Sequence, residues 1–145
     1  MDIEILNEKL HFDLYGFSGD VDNRDYPGTG KKLMDALWIE VRGVGLKHKG
    51  INFWVYDSAK RMFTGVELIN GDTDHGSLEH KTVRLDKYAY LKHVGPYNKL
   101  GDAHRGLEKE LANRGLIEIG PRVERYGHWT EDESQLVTEV YIGLK

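Results

Sequence analysis

The chain has 145 residues, 39 % of them hydrophobic, enough for one ordinary domain with a real core. Its 24 acidic residues outnumber 20 basic ones, a formal charge of -4, which argues against a surface built to hold phosphate and against a direct nucleic-acid role. Without cysteine there is no disulfide, thiolate metal site or cysteine nucleophile.

The opening stretch MDIEILNEKLHFDLYGF is acidic and alternating, unlike a signal peptide, and no run approaches the ~20 apolar residues of a membrane span. A cytoplasmic protein with no membrane partner is expected. KLHFDLYGF supplies a first strand, and YPGTG reads as the turn into a helix. Across KKLMDALWIEVR, residues 31–42, Leu33, Leu37 and Val41 recur at i, i+4 and i+8 with Met34 and Trp38 alongside, the stripe of one helical face. Gly43 and Gly45 stop it. INFWVYD and MFTGVELI, either side of the polar turn SAKR, are rich in aromatic and β-branched residues and predict a hairpin.

GDTDHGSLEH reads as a linker, after which the plan repeats. VRLDKYAYLKHV is expected to be one strand, bulged in its middle. Asn98 is placed to cap a helix whose stripe is Leu100, Ala103, Leu107 and Leu111 and which ends at Gly115. PRVERYGHW and QLVTEVYIGL form a second hairpin around TEDES. Sliding the chain on itself by 70 positions matches Leu37 with Leu107, Glu40 with Glu110, Gly45 with Gly115, Leu46 with Leu116 and Tyr56 with Tyr126. A duplication explains both the matches and the element order.

The expectation is therefore an α+β fold spanning residues 1–145 as a single domain. Two strand-helix-strand-strand modules, about 9–70 and about 81–145, would share one antiparallel sheet, with both helices on one face and a central groove between them. Strand alternation puts Arg122, Glu124 and Tyr126 on one face. The same offset makes Trp54 the counterpart of Glu124.

The segment YAYLKHVGPYNKLGDAHRGLEKEL, followed by GPRVERYGHW and LVTEVYIGL, resembles the gyrase-inhibitor-like small-molecule-binding domain, the effector-binding half of AraC-type and MerR-class multidrug regulators. The resemblance is carried by HxGPY at His93 to Tyr97, by ExY at Glu124 to Tyr126, and by the closing TEVYI. It implies a pocket for small hydrophobic, often cationic aromatic molecules, with Glu124 as its buried anion. Candidate aromatic walls are Trp38, Trp54, Tyr56, Tyr97, Tyr126 and Tyr141, and Glu139 is a candidate second acid. A buried carboxylate must take up a proton or await a cation, and aromatic faces add cation-π attraction of roughly 0.5 to 2 kcal/mol each.

Strand-like sequence from about Lys9 leaves no room for a preceding helix-turn-helix, so a freestanding binder that sequesters drugs or toxins is expected. The same resemblance implies two alternatives. One is a hydrolase of cyclopropane-bearing alkylating compounds, with Glu124 as general base and Tyr97 or Tyr126 polarising the leaving oxygen. The other is a protein partner, gyrase or a regulator. Plainer readings stand beside these: Glu124 paired with Arg122 or Arg125, Glu139 in a hairpin ion pair, and Tyr97, Trp38 and Trp54 as core. His75 and His80 near Asp72 and Asp74 lack the spacing of a zinc site, GTGKK lacks that of a phosphate loop, and Ser77 and Ser134 sit in turns without a nucleophile elbow. Neither a metal nor a cofactor is expected.

Overall fold

The computed structural model describes residues 2–71 and 73–145. Chain order is β1 (Ile3–Leu6), β2 (Leu10–Asp20), α1 (Tyr26–Val44), β3 (His48–Ser58), β4 (Arg61–Leu68), β5 (Glu79–Leu85), β6 (Tyr88–Val94), α2 (Leu100–Asn113), β7 (Glu118–Tyr126) and β8 (Val137–Leu144). This is an α+β fold. Eight strands form one antiparallel sheet in the order β1-β6-β8-β7-β3-β4-β2-β5.

Each module carries one strand more than the sequence suggests. VRLDKYAYLKHV is not one bulged strand, because Asp86 and Lys87 form a turn that divides it into β5 and β6. The supposed linker ends at Leu78, since Glu79 and His80 already pair with Gly16 and Tyr15 of β2. The leading strands are exchanged between halves. β1 pairs with β6 of the second half, and β5 with β2 of the first.

That exchange bends the sheet. Three residues join β1 to β2, first and seventh in the order. Four Cα steps reach at most about 14 Å, whereas six strand spacings in a flat sheet would be about 29 Å. The sheet must curl until its edges approach, although β1 and β5 do not pair and it stays open. Phe12 on β2 consequently meets Tyr141 on β8, ring centroids 5.5 Å apart. The enclosed face packs Phe12, Leu14, Phe53, Val55, Phe63, Val123 and Tyr141.

The opposite face carries both helices. Leu37 and Val41 of α1 cover Tyr15 and Val66, while Leu100, Ala103, Leu107 and Leu111 of α2 cover Leu91, Val140 and Ile142. YPGTG is the first turn of α1 and not a lead-in: Asp25 accepts from the Gly28 N–H, and Pro27 sits where a missing N–H does no harm. Asn98 makes no cap; it lies in a 3-10 turn, Tyr97–Lys99, and α2 has no side-chain cap bond.

The two halves agree in detail at the 70-residue offset. Gly45 and Gly115 both follow the helices with positive φ, and Leu46 and Leu116 donate back to Val41 and Leu111, each at 2.9 Å. Gly50 and Gly120 also match, with φ of 79° and 71°, inside equivalent register shifts of β3 and β7.

Candidate functional site

β3 and β7 lie side by side at the middle of the sheet, and Trp54 is the direct cross-strand neighbour of Glu124. These two positions are equivalent at the 70-residue offset, so the pseudo-twofold axis passes between them. α1 and α2 flank that axis on the same face. Between them a groove of about 1230 Å³ is lined by Tyr26 and Met34 from α1, Leu100 and His104 from α2, and Trp54, Tyr56, Glu124 and Tyr126 from the strands, with Tyr97 at its side. It is somewhat larger than the roughly 300–1000 Å³ usual for a small-molecule site.

Glu124 is 3 % exposed, yet its carboxylate is not without partners. Its Oε1 accepts from the Tyr56 hydroxyl at 2.5 Å and the Tyr126 hydroxyl at 2.7 Å, and its Oε2 faces His104 Nε2 at 2.8 Å. Three donors satisfy the carboxylate that a lone burial would penalise. Burial, and next the charge of Glu124, push the Tyr56 and Tyr126 hydroxyls well above the usual phenol range.

His104 is fixed from its other side. Arg122 Nη1 lies 3.2 Å from Nδ1. A guanidinium can only donate, so Nδ1 accepts and Nε2 carries the proton that Glu124 receives. Arg122 in turn binds Glu118 through Nε and Nη2, both at 2.7 Å, and Glu108 at 2.8 Å. The Arg122–Glu108 tether between strand and helix has an uncharged counterpart across the axis, where Trp38 Nε1 donates to Asn52 at 2.9 Å.

Of the eight residues singled out in the sequence, five converge here: Glu124, Tyr126, Trp54, Tyr56 and Tyr97. Their rings form a chain, with Tyr97 edge-on to Tyr126 at 5.5 Å and Tyr126 edge-on to Trp54 at 5.6 Å. Trp38 does not line the groove and reaches it only through Asn52. Glu139 and Tyr141 stand on the other face of the sheet. Val140, the cross-strand neighbour of Glu124, points with it toward the helices, so its sequence neighbours point into the curl. There Glu139 accepts from Tyr90 at 2.6 Å and meets Arg125 at 3.5 Å, the hairpin ion pair that the sequence left open.

His104, Arg122, Asn52 and Met34 line the groove and were not predicted as site residues. The signal for His104 was its place on the flank of the Leu100, Ala103, Leu107 stripe. Elsewhere, His75 contacts the Leu78 carbonyl and His80 contacts Asp13; Asp72 lies outside the described residues. Among the described residues no group of three or more His, Cys, Asp or Glu could hold a metal, and no helix is long and apolar enough to cross a membrane.

The sequence matches no protein-family profile and no curated protein. Solved structures do match. The EcmrR C-terminal domain superposes with a TM-score of 0.78 at 16 % identity, covering 100 % of this chain and 99 % of that one. In an EcmrR–DNA complex the chain spans 57 % of the EcmrR polypeptide. SAV2435 bound to tetraphenylphosphonium gives a TM-score of 0.68 at 14 % identity, covering 100 % and 94 %. A hydrolase from Listeria innocua gives 0.58 at 11 %, covering 99 % and 91 %. The chain has the gyrase-inhibitor-like effector-binding fold.

Proposed function

We propose that the groove binds small hydrophobic aromatic cations and that the protein serves to capture such drugs or toxins. One observation carries this reading. Glu124 is held by two phenols and a neutral imidazole, none of which cancels its charge, whereas Arg122 is balanced by Glu108 and Glu118. The carboxylate thus lies under aromatic rings in a large groove with no cationic side chain bonded to it, the setting in which a delocalised cation gains both Coulomb and cation-π attraction. The ligand named with SAV2435, tetraphenylphosphonium, has that chemistry.

The test compares two ions of one shape and opposite charge. Tetraphenylphosphonium should raise the melting temperature and titrate to saturation, while tetraphenylborate should do neither. Equal binding of both would leave only a hydrophobic groove.

The likeness to the Listeria innocua hydrolase supports a second reading, in which Glu124 activates water against a strained electrophile. Tyr97, 41 % exposed at the groove, would offer its hydroxyl to the leaving oxygen. Substoichiometric protein incubated with a panel of cyclopropane-bearing alkylating compounds and followed by mass spectrometry separates the two. Multiple turnovers establish the hydrolase, and recovery of intact compound leaves the binder.

A further inference from the structure

We propose that His104 makes cation binding proton-linked: the groove takes up its cation against the proton that would otherwise reside on the imidazole beside Glu124. The inference rests on the cation-binding reading and adds to it a specificity-determining residue.

The geometry allows His104 two charge states with opposite consequences. With a neutral ring, Nε2–H donates to Glu124 at 2.8 Å and Nδ1 accepts from Arg122 at 3.2 Å. A second proton has only Nδ1 to occupy. There it turns the Arg122 contact into two donors and two positive charges face to face, and it makes His104 an internal counter-ion for Glu124. The imidazolium and a ligand cation then compete for one carboxylate.

The charged groups around His104 permit this exchange. From its own helix, Glu108 is committed to Arg122 and Arg105 to Asp102. From β7, Arg122 and Glu124 touch the ring, Glu118 acts through Arg122, and Tyr126 joins Glu124. From β3, Tyr56 holds Glu124 and Asp57 is paired with Lys81. Across the groove α1 presents Tyr26, Pro27 and Met34, none of which brings a formal charge near neutrality. Among the described residues, Glu124 is thus the carboxylate that contacts the His104 ring directly and has no cationic side chain bonded to it, since Glu108 and Glu118 both bind Arg122; imidazole is the side chain that changes charge near neutral pH.

Calorimetric titration of the full chain with tetraphenylphosphonium between about pH 8 and pH 5 tests the exchange. Wild-type affinity should fall toward acid, by up to about tenfold per pH unit once His104 is protonated in the free protein. His104→Gln keeps an N–H toward Glu124 but cannot titrate, and its affinity should lose most of that dependence, leaving only what Glu124 itself contributes. On the wild type alone, titrations on the acid limb of that profile in two buffers of different ionisation enthalpy should reveal proton release on binding. A flat wild-type profile without proton release overturns the linkage while leaving the binding reading intact. A His104→Gln profile matching the wild type assigns the proton elsewhere and overturns the role of His104. No binding at any pH removes the binding reading and this inference together.

Discussion

Tyr56 and Tyr126, equivalent positions of the two halves, donate to the same oxygen of Glu124. Two side chains related by an axis can meet at one atom only near that axis, and Glu124 stands beside it because it pairs with its own counterpart, Trp54. The carboxylate is positioned by both halves.

Glu124→Gln removes the charge and keeps the shape. Tetraphenylphosphonium binding should weaken by about 1 to 3 kcal/mol, the scale of a charge-assisted contact. Calorimetry on the folded variant checks it, and unchanged affinity would take Glu124 out of the site.

Trp54 and Gly30 are predicted to be coupled. A Cβ on Gly30 would lie 2.3 Å from the Trp54 ring, so α1 comes this close only because position 30 has no side chain. Gly30→Ala should lose about 1 to 3 kcal/mol to overpacking despite a helix-propensity gain of about 1 kcal/mol. In Trp54→Ala the obstacle is gone, and Gly30→Ala should there be neutral or stabilising. Urea unfolding of the two single variants and the double variant measures the coupling; additive losses would show that the ring does not set the helix approach. Trp54→Ala alone should also weaken tetraphenylphosphonium binding, since it strips one wall.

Glu139→Gln should behave in the opposite way to Glu124→Gln. Its partners Tyr90 and Arg125 lie on the enclosed face, so stability should drop by about 1 to 3 kcal/mol while cation affinity stays within about twofold. Urea melts beside ligand titrations make the comparison, and a marked loss of binding would mean that the two faces communicate.

Alkali should unfold the protein through its tyrosines. Burial foremost raises Tyr56, Tyr90 and Tyr126, and it pushes Tyr141 up to about 12. Above about pH 10 the unfolded chain gives up phenol protons that the folded one keeps, so this stability is complete below that pH and is lost as pH rises through the folded values. Each such tyrosine contributes a slope of about 1.4 kcal/mol per pH unit while only the unfolded state is ionised. Tyr56→Phe should make the alkaline limb of a stability profile shallower, and an unaltered limb would show that Tyr56 titrates alike in both states.

The element order and the duplication were legible because helix and strand periods differ and because the repeat preserves turn glycines such as Gly45 and Gly115. β1 and β5 were not. IEIL is four residues long, and its partner β6 is remote in sequence, so no local signal announces the pairing. At the site, strand alternation grouped Arg122, Glu124 and Tyr126, and the offset added Trp54 and Tyr56. Alternation says which residues share a face but not which face it is. Glu139 and Tyr141 repeat the spacing of Glu124 and Tyr126 and nevertheless point into the curl. His104 was missed because its role depends on where α2 sits over β7, a matter of tertiary packing.

The exchange of β1 and β5 between halves is the pattern of a domain-swapped dimer whose two subunits have been joined end to end. A true dimer of identical halves would have to place the same residue on both sides of its axis. Two tryptophans there would leave the axis of the groove without a carboxylate, and two glutamates side by side would repel. One continuous chain escapes that rule. It sets an acid against an indole at the point where perfect symmetry forbids any difference, and so gives the centre of the groove an acidic side and an indole side, against which a cation held as proposed would have one preferred orientation.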